Sequence, residues 1–484
     1  MRHVKVAIIG AGTAGLSARR EVERLTDDYV VIDDGALGTT CARVGCMPSK
    51  VLIQVANDFH RRGVLEQQGI LGGDQLTVDQ AAVMRHVRKL RDRFVGGVMR
   101  SMGSWEDKLI RKRASFVDAN TLRLESKDGA VESLRADRII LATGSKPVIP
   151  GAWQALRHRL IDTDEFFERE TLPARVAVVG LGVIGLELGQ ALSRLGVQVT
   201  GITLDQAYGG LTDPDVQAAA HAHFSAEFPV HLHGVKHLEE RGDDLHIVLS
   251  DGTTVQVDAA LVTMGRRPQL ESLGLERLDC AKELTFVRGV PEFSDGTFRV
   301  AGAPWYVAGD MNGTRPLLHE AADEGRIAGY NSVRDEDKCF QRRTPLAITF
   351  SDPNIAMVGE SFRALAARGA DFVTGSVSFK GQGRAVVKRE EHGLLHVYAD
   401  RESGRLLGAE LLAPSGEHLA HQLAWALSTK STARDTLSFP FYHPVLEEGL
   451  RTALRKAARQ VGDGNEGALE TLRCGDGLES MRCP

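Results

Sequence analysis

Short apolar runs recur along the chain, and the first of them end in glycine. Residues 4 to 33, VKVAIIGAGTAGLSARREVERLTDDYVVIDD, set an apolar run (Val4 to Ile9) against Gly10, Gly12 and Gly15. A helical stretch follows, then a second run, Tyr29 to Ile32, which closes on Asp33. Runs of this length bounded by turn residues predict buried strands. A G-x-G-x-x-G between strand and helix, with an acid about 20 residues on, predicts a dinucleotide site. Gly10 makes the tight turn, Gly12 lets the backbone approach a pyrophosphate, and Gly15 lets helix pack on strand. The helix N-terminus then faces the phosphates and Asp33 accepts from a ribose hydroxyl.

The same pattern returns at residues 175 to 203, with Gly180, Gly182 and Gly185 between strand and helix. Two such sites predict two cofactors passing electrons between them. The second strand of this copy ends on Thr203, with Asp205 two residues further. An acid at its end would hold the ribose 2′-hydroxyl of NAD, and arginines nearby would hold the 2′-phosphate of NADP. Neither is in place, so the coenzyme stays open.

RIILATGSKP (138 to 147) and ALVTMGRRP (260 to 268) read as the closing strands of the two nucleotide units. PWYVAGDMNG (304 to 313) is a further strand ending in Gly309-Asp310, and LLHEAADEGRIAG is a helix. From about residue 341, strand-like AITF, GLLHVYAD and LLGAELL alternate with a helical HLAHQLAWALS and carry no glycine fingerprint. The pattern predicts an α/β protein with two Rossmann-like nucleotide-binding domains and a C-terminal α+β domain. Its bounds are 1–150, 151–270, a central segment 271–340, 341–461, and a tail, 462–484. Gly- and acid-rich composition predicts that the tail is mobile.

Composition narrows the class. The chain has 484 residues, a net charge of -5 and 43% hydrophobic content, as expected of about three soluble domains at roughly 150 residues each. Near-neutral balance argues against nucleic acid, and RHVRKLRDR (85 to 93) reads as a solvated helix face between Val83, Val87 and Leu90. No stretch reaches the roughly 18 apolar residues a membrane span needs. The N-terminus runs straight into a strand, which leaves no signal peptide and makes the cytoplasm the expected location. Six scattered cysteines form no disulfide framework.

Two of those cysteines carry the chemistry. GTTCARVGCMPSK (38 to 50) separates Cys41 from Cys46 by four residues. Zinc knuckles use tighter pairs in sets, and no second pair or His cluster is nearby, so no metal site is expected. A structural bridge over so small a loop would remove little unfolded-state entropy. A redox pair remains. Pro48 fits the first turn of a helix running through Val51, Leu52 and Val55, and Cys46 just ahead of it would feel the helix dipole, which favours the thiolate.

Two nucleotide units, C-x4-C followed by PSK, an ATG strand, an AGD strand and a C-terminal His-Pro segment resemble the flavin-dependent pyridine nucleotide–disulfide oxidoreductases over residues 4 to 460. CMPSK is most similar to the dihydrolipoamide dehydrogenase pattern. The resemblance implies FAD on Gly10, Gly12, Gly15 and Asp33, with Asp310 at the flavin ribityl chain and Gly144 close by. Gly38, Thr40 and Lys50 around the cysteines add FAD contacts, and Gly180, Gly182, Gly185 and Gly265 serve NAD(P). Cys46 is then the flavin-side thiol and Cys41 the thiol that exchanges with substrate. Lys50 pairs with Glu187, since a buried lysine without a partner is costly.

In FPFYHPVLEEGLRTALRKAARQ, from residue 439, Pro444 opens a predicted helix with a stripe of Leu446, Leu450 and Leu454. Taken alone, His443 reads as a helix cap; the match to the family's His-Pro-Thr-x-x-Glu implies a base oriented by Glu448 and supplied by the second subunit of a homodimer. The resemblance also implies an α+β dimerisation domain at 341–461 and a central segment returning to the FAD domain. The expected reaction is dihydrolipoamide and NAD to lipoamide and NADH, with a lipoyl domain of a 2-oxo acid dehydrogenase complex as partner. The alternative is an NADPH-dependent reductase of another disulfide, glutathione-type, or of a metal ion, mercuric-type.

Five departures bear on substrate and not on chemistry. Val445 and Glu447 replace the usual Thr and Ser, Tyr442 replaces a small residue, Thr39 replaces a Gly, and Arg43 stands where Asn is frequent. All are expected near the disulfide-substrate site. Cys474 and Cys483, with eight residues between them in the tail, read as incidental, and Cys280 and Cys339 as single core or surface residues.

Overall fold

Within each of two sheets the parallel strands end level, and every predicted nucleotide loop leaves from those ends. The computed structural model describes residues 1–462; the tail with Cys474 and Cys483 lies outside the described residues. In the first sheet β1 (Arg2–Ile9) leads through α1 (Thr13–Glu23) to β2 (Tyr29–Ile32). β1 pairs in parallel with β2, Ile9 opposite Ile32, and with the strand Val131–Leu141, Ile9 opposite Leu141. The strand Trp305–Val307 adds to the far edge of Val131–Leu141, Val307 opposite Leu141. Residues 304–313 therefore return to the first sheet across the whole second domain.

All four residues of β2 are buried, which is why the run is uniformly apolar rather than alternating. The second sheet repeats the plan. Arg175–Val179 lies between Gln198–Ile202 and Ala259–Val262, with Val179 opposite both Ile202 and Val262. A short antiparallel tie, Ser145–Pro147 on Arg266–Pro268, links the two units.

The C-terminal domain is a five-stranded antiparallel sheet in the order Leu346–Thr349, Asn354–Gly359, Leu406–Ala413, Leu394–Asp400, Phe372–Ser378. The helix Glu447–Ala458 buries the predicted Leu450 and Leu454 against it. It begins three residues after Pro444, which does not open it as expected: the chain bends at His443-Pro444, and Leu446 takes the cap position. The second nucleotide unit docks on this sheet through buried acids. Asp213 caps the helix Pro214–Glu227 and lies 2.8 Å from both His396 Nδ1 and Tyr398 Oη. Glu410, fully buried, accepts the backbone N–H groups of Thr212, Asp213 and Phe362.

The basic run lies within the helix Gln80–Met102, where Met84 and Val87 are buried and Val83 and Leu90 are only half-buried. Its arginines are not all solvated as expected: Arg88 bonds the Arg169 carbonyl and Arg91 the Glu168 carboxylate. No described helix is long and apolar enough to cross a membrane.

α1 is pressed onto the helix Leu318–Ser332 by glycines. A Cβ on Gly325 would lie 2.1 Å from the Ala14 carbonyl oxygen, and one on Gly329 would lie 2.4 Å from that of Ala18. Backbone cannot yield as a flexible side chain does. Gly325→Ala is expected to cost about 1–3 kcal/mol through helix separation, measurable as a lowered urea midpoint at unchanged slope.

Candidate functional site

Each glycine of the two fingerprints has a separate physical reason. Gly10 has φ +109°, and a Cβ there would meet the Ala142 carbonyl oxygen at 2.2 Å; Gly180 has φ +98° and the same conflict with Thr263 at 2.6 Å. Cβ atoms on Gly15 and Gly185 would each lie 1.9 Å from the carbonyl oxygen of the fingerprint's first glycine. Gly12 and Gly182 differ, since a Cβ on either would meet no protein atom within 4 Å. The fold itself does not demand glycine there. A ligand lying against the backbone does, and both sites fit the dinucleotides that the family motif implies.

The remaining loop residues brace one another. Asp33 accepts the N–H of Ala11 at 2.7 Å and of Gly35 at 2.8 Å, so its carboxylate shapes the loop it was expected only to face. Asp310 Oδ2 accepts from Ser145 Oγ at 3.1 Å, and Arg266 donates to Ser145 Oγ and its carbonyl. Gly144 (φ +71°) and Gly265 (φ +101°) flank the antiparallel tie, their carbonyls taking Gln269 and Val148 N–H. Thr203 bonds the His231 carbonyl through its N–H, and Asp205 closes its own turn on Ala207.

The cysteines sit on two consecutive helices, the short α2 (Thr40–Val44) and the longer α3 (Cys46–His60). Gly45 lets them meet: a Cβ there would lie 3.1 Å from the Thr40 carbonyl oxygen. Cys46 is the first residue of α3 rather than just ahead of it, and Pro48 the third. That places the Cys46 thiol where the helix dipole acts on it most directly. Cys41 is half-buried, Cys46 is exposed, and both are thiols. A hydrogen bond from Cys41 and the charge of Lys50 lower the Cys46 pKa to about 7 against the opposing effect of desolvation. The same hydrogen bond and burial push Cys41 well above the ordinary thiol range.

One turn on, Lys50 Nζ lies 2.9 and 2.8 Å from the two oxygens of Glu187, which is 4% exposed. Glu187 also accepts the Phe350 N–H at 2.9 Å, and Lys50 Nζ stands 4.6 Å above the Phe350 ring. Phe350 gave no sequence signal, because nothing local distinguishes it from a core residue.

Two of the departures are structural. Thr39 adopts φ +66° where the family pattern has glycine, and its hydroxyl caps α2 by accepting the Ala42 N–H at 3.3 Å. The cap offsets part of a left-handed cost of order 1–3 kcal/mol. Arg43 donates from its guanidinium to the Ala36 carbonyl at 3.4 Å, and its stem packs beside Gly38 (φ +110°). Thr40 is exposed at the start of α2.

His443 Nδ1 lies 3.0 Å from Glu448 Oε2, and the hydrogen bond from His443 holds the Glu448 carboxyl below its usual range. The His443 side chain is 80% exposed, beside an exposed Tyr442. Among the described residues, neither His443 nor Glu448 bonds to the cysteine segment of its own chain.

Reduced protein should therefore show Cys46 alkylation by iodoacetamide rising with pH through a midpoint near 7. Cys41→Ala removes the first cause of the shift and is expected to move that midpoint upward. An unmoved midpoint would assign the effect to Lys50 and the helix alone.

Residues 4–325 match the family described as Pyridine nucleotide-disulphide oxidoreductase, and residues 346–454 match its dimerisation domain. The chain is 30% identical over 474 residues to a dihydrolipoyl dehydrogenase of Haloferax volcanii, covering 94% of this chain and 97% of the relative. A dihydrolipoyl dehydrogenase of Geobacillus stearothermophilus is 29% identical over 453 residues, covering 91% and 93%. Among solved structures, LpdA from Mycobacterium tuberculosis superimposes with a TM-score of 0.79 at 25% identity, over 94% of this chain and 99% of that one. A Cu(II) complex of the HOCl-induced flavoprotein disulfide reductase RclA from Escherichia coli reaches 0.81 at 19% identity over 94% and 99%, a likeness of fold alone.

Proposed function

The chain belongs to the pyridine nucleotide-disulphide oxidoreductase family, and we propose that it is a homodimeric dihydrolipoyl dehydrogenase that oxidises dihydrolipoamide with NAD. The observation that carries the reading is Cys46 at the first position of α3, its pKa drawn to about 7, with the Lys50–Glu187 pair one turn behind. Curated relatives over nine-tenths of the chain support the substrate. A lipoyl domain is the natural carrier of that dithiol.

The chain's own residues carry the exchange. In the oxidised enzyme Cys41 and Cys46 are joined. His443, brought by the second copy, takes the proton of a substrate thiol at Nε2, because Nδ1 is engaged with Glu448. The substrate thiolate attacks Cys41 Sγ, the Cys41–Cys46 bond breaks, and Cys46 leaves as a thiolate, a good leaving group at its lowered pKa. The second substrate thiol then attacks the mixed disulfide, closes the product disulfide and expels Cys41; the proton that this thiol gives up goes to the departing Cys41 sulfur, while His443 keeps the first. Two electrons now reside on the cysteine pair. FAD, held on Gly10, Gly12, Gly15, Asp33 and Asp310, supplies the two-electron relay from Cys46 to the nicotinamide. Lys50, fixed by Glu187 and Phe350, keeps a positive charge beside the Cys46 thiolate.

Steady-state turnover is the test. Dihydrolipoamide with NAD should outrun glutathione disulfide with NADPH, and His443→Gln should lower it about 10²–10⁴-fold, the usual size of a general-base contribution. A dead lipoamide assay in protein that binds FAD and carries a reducible disulfide would overturn the substrate. Because Thr203 supplies no carboxylate, NADP is the necessary parallel arm.

A further inference from the structure

Glu324 takes no part in the exchange above, yet it holds the turn that carries Asp310. It is 1% exposed on the helix Leu318–Ser332. One oxygen, Oε2, accepts both the Gly309 N–H and the Asn312 side-chain amide, each at 2.7 Å. Both ends of the turn Gly309–Asn312 are thereby pinned to a single atom. Asn312 passes the constraint on, its Oδ1 taking the Thr314 N–H and hydroxyl at 2.9 and 2.8 Å.

The other oxygen accepts from Arg342, whose side chain is 9% exposed and also bonds Glu320 and Asp295. Burial pushes the Glu324 carboxyl up to about 7 even with that arginine present. A buried ion pair is often no more stable than an apolar replacement of the same shape. Stability alone therefore does not account for an acid here, whereas a need for one strong acceptor under the turn does.

We propose that Glu324 is a positioning residue for the flavin: with Arg342 as its counter-charge, it fixes the Gly309–Asn312 turn so that Asp310 is held ready for the FAD ribityl chain. The inference rests on the FAD reading of Asp310. Arg342 lies four residues before the first strand of the dimerisation domain, Leu346–Thr349, so the seating of that domain is tied to flavin retention.

The test titrates flavin-free full-length protein with FAD and follows the thermal midpoint of the same flavin-free samples. Glu324→Ala strands two donors and is expected to raise the FAD Kd about tenfold or more. Glu324→Gln keeps an acceptor under the turn and should stay within about threefold of the parent. Glu320→Ala, which removes a buried carboxylate from the same arginine without touching the turn, should lower the thermal midpoint as Glu324→Ala does yet leave the FAD Kd unchanged. Equal loss of FAD in both alanine variants, or parent-like binding in Glu324→Ala, overturns the proposal. If Glu324→Ala does not fold, Glu324→Gln against Glu324→Leu carries the same comparison. A parent that binds no FAD would sink the flavin reading itself, visible before any variant is made.

Discussion

The Lys50–Glu187 ion pair is the contact on which the arrangement of the site depends. Lys50 belongs to the redox helix, Glu187 to the helix behind the second fingerprint, and Phe350, which donates to Glu187 and underlies Lys50, to the start of the dimerisation domain. One buried carboxylate thus joins three parts of the chain beside the cysteine pair. Breaking such a pair leaves an uncompensated buried charge, so the three parts are held in one register. The same lysine lowers the Cys46 pKa, and the contact that orders the domains also prepares the nucleophile.

Around it, the parallel strands of two sheets do the rest of the positioning. Ile9, Ile32, Leu141 and Val307 lie at one level, so the loops bearing Gly10, Asp33, Gly144 and Asp310 emerge along one rim. Ligands of open α/β sheets bind at that carboxyl edge because the strands there hand over to helix N-termini with free N–H groups. The rim is then braced by side chains: Ser145 donates to Asp310, Arg266 donates to Ser145, and Glu324 accepts from Gly309 and Asn312 on either side of Asp310.

Much of this was legible along the chain. The fingerprints, the Asp33 and Asp310 turns, the change of pattern near residue 341 and the leucine stripe of the last long helix rest on local periodicity and turn chemistry, which burial on a sheet or helix face enforces directly. Pro444 misled because a proline marks a boundary without saying on which side of it the helix starts. The sequence offered no sign that Thr39 also caps a helix, at φ +66°.

The sequence by itself pointed to the chemistry: two dinucleotide loops and two cysteines with four residues between them beside a helix start. All of these arise within one or two turns, where spacing fixes geometry. Tertiary structure alone decided what makes that chemistry work. Lys50 and Glu187, 137 residues apart, were paired beforehand only through the family resemblance and bond as expected, whereas the Ser145–Asp310 contact across 165 residues and the counter-charge that Glu324 takes from a segment leading into another domain had no sequence signal. Such pairs are selected by burial, which makes an unpartnered charge intolerable, and burial is a property of the assembled fold rather than of any stretch of chain.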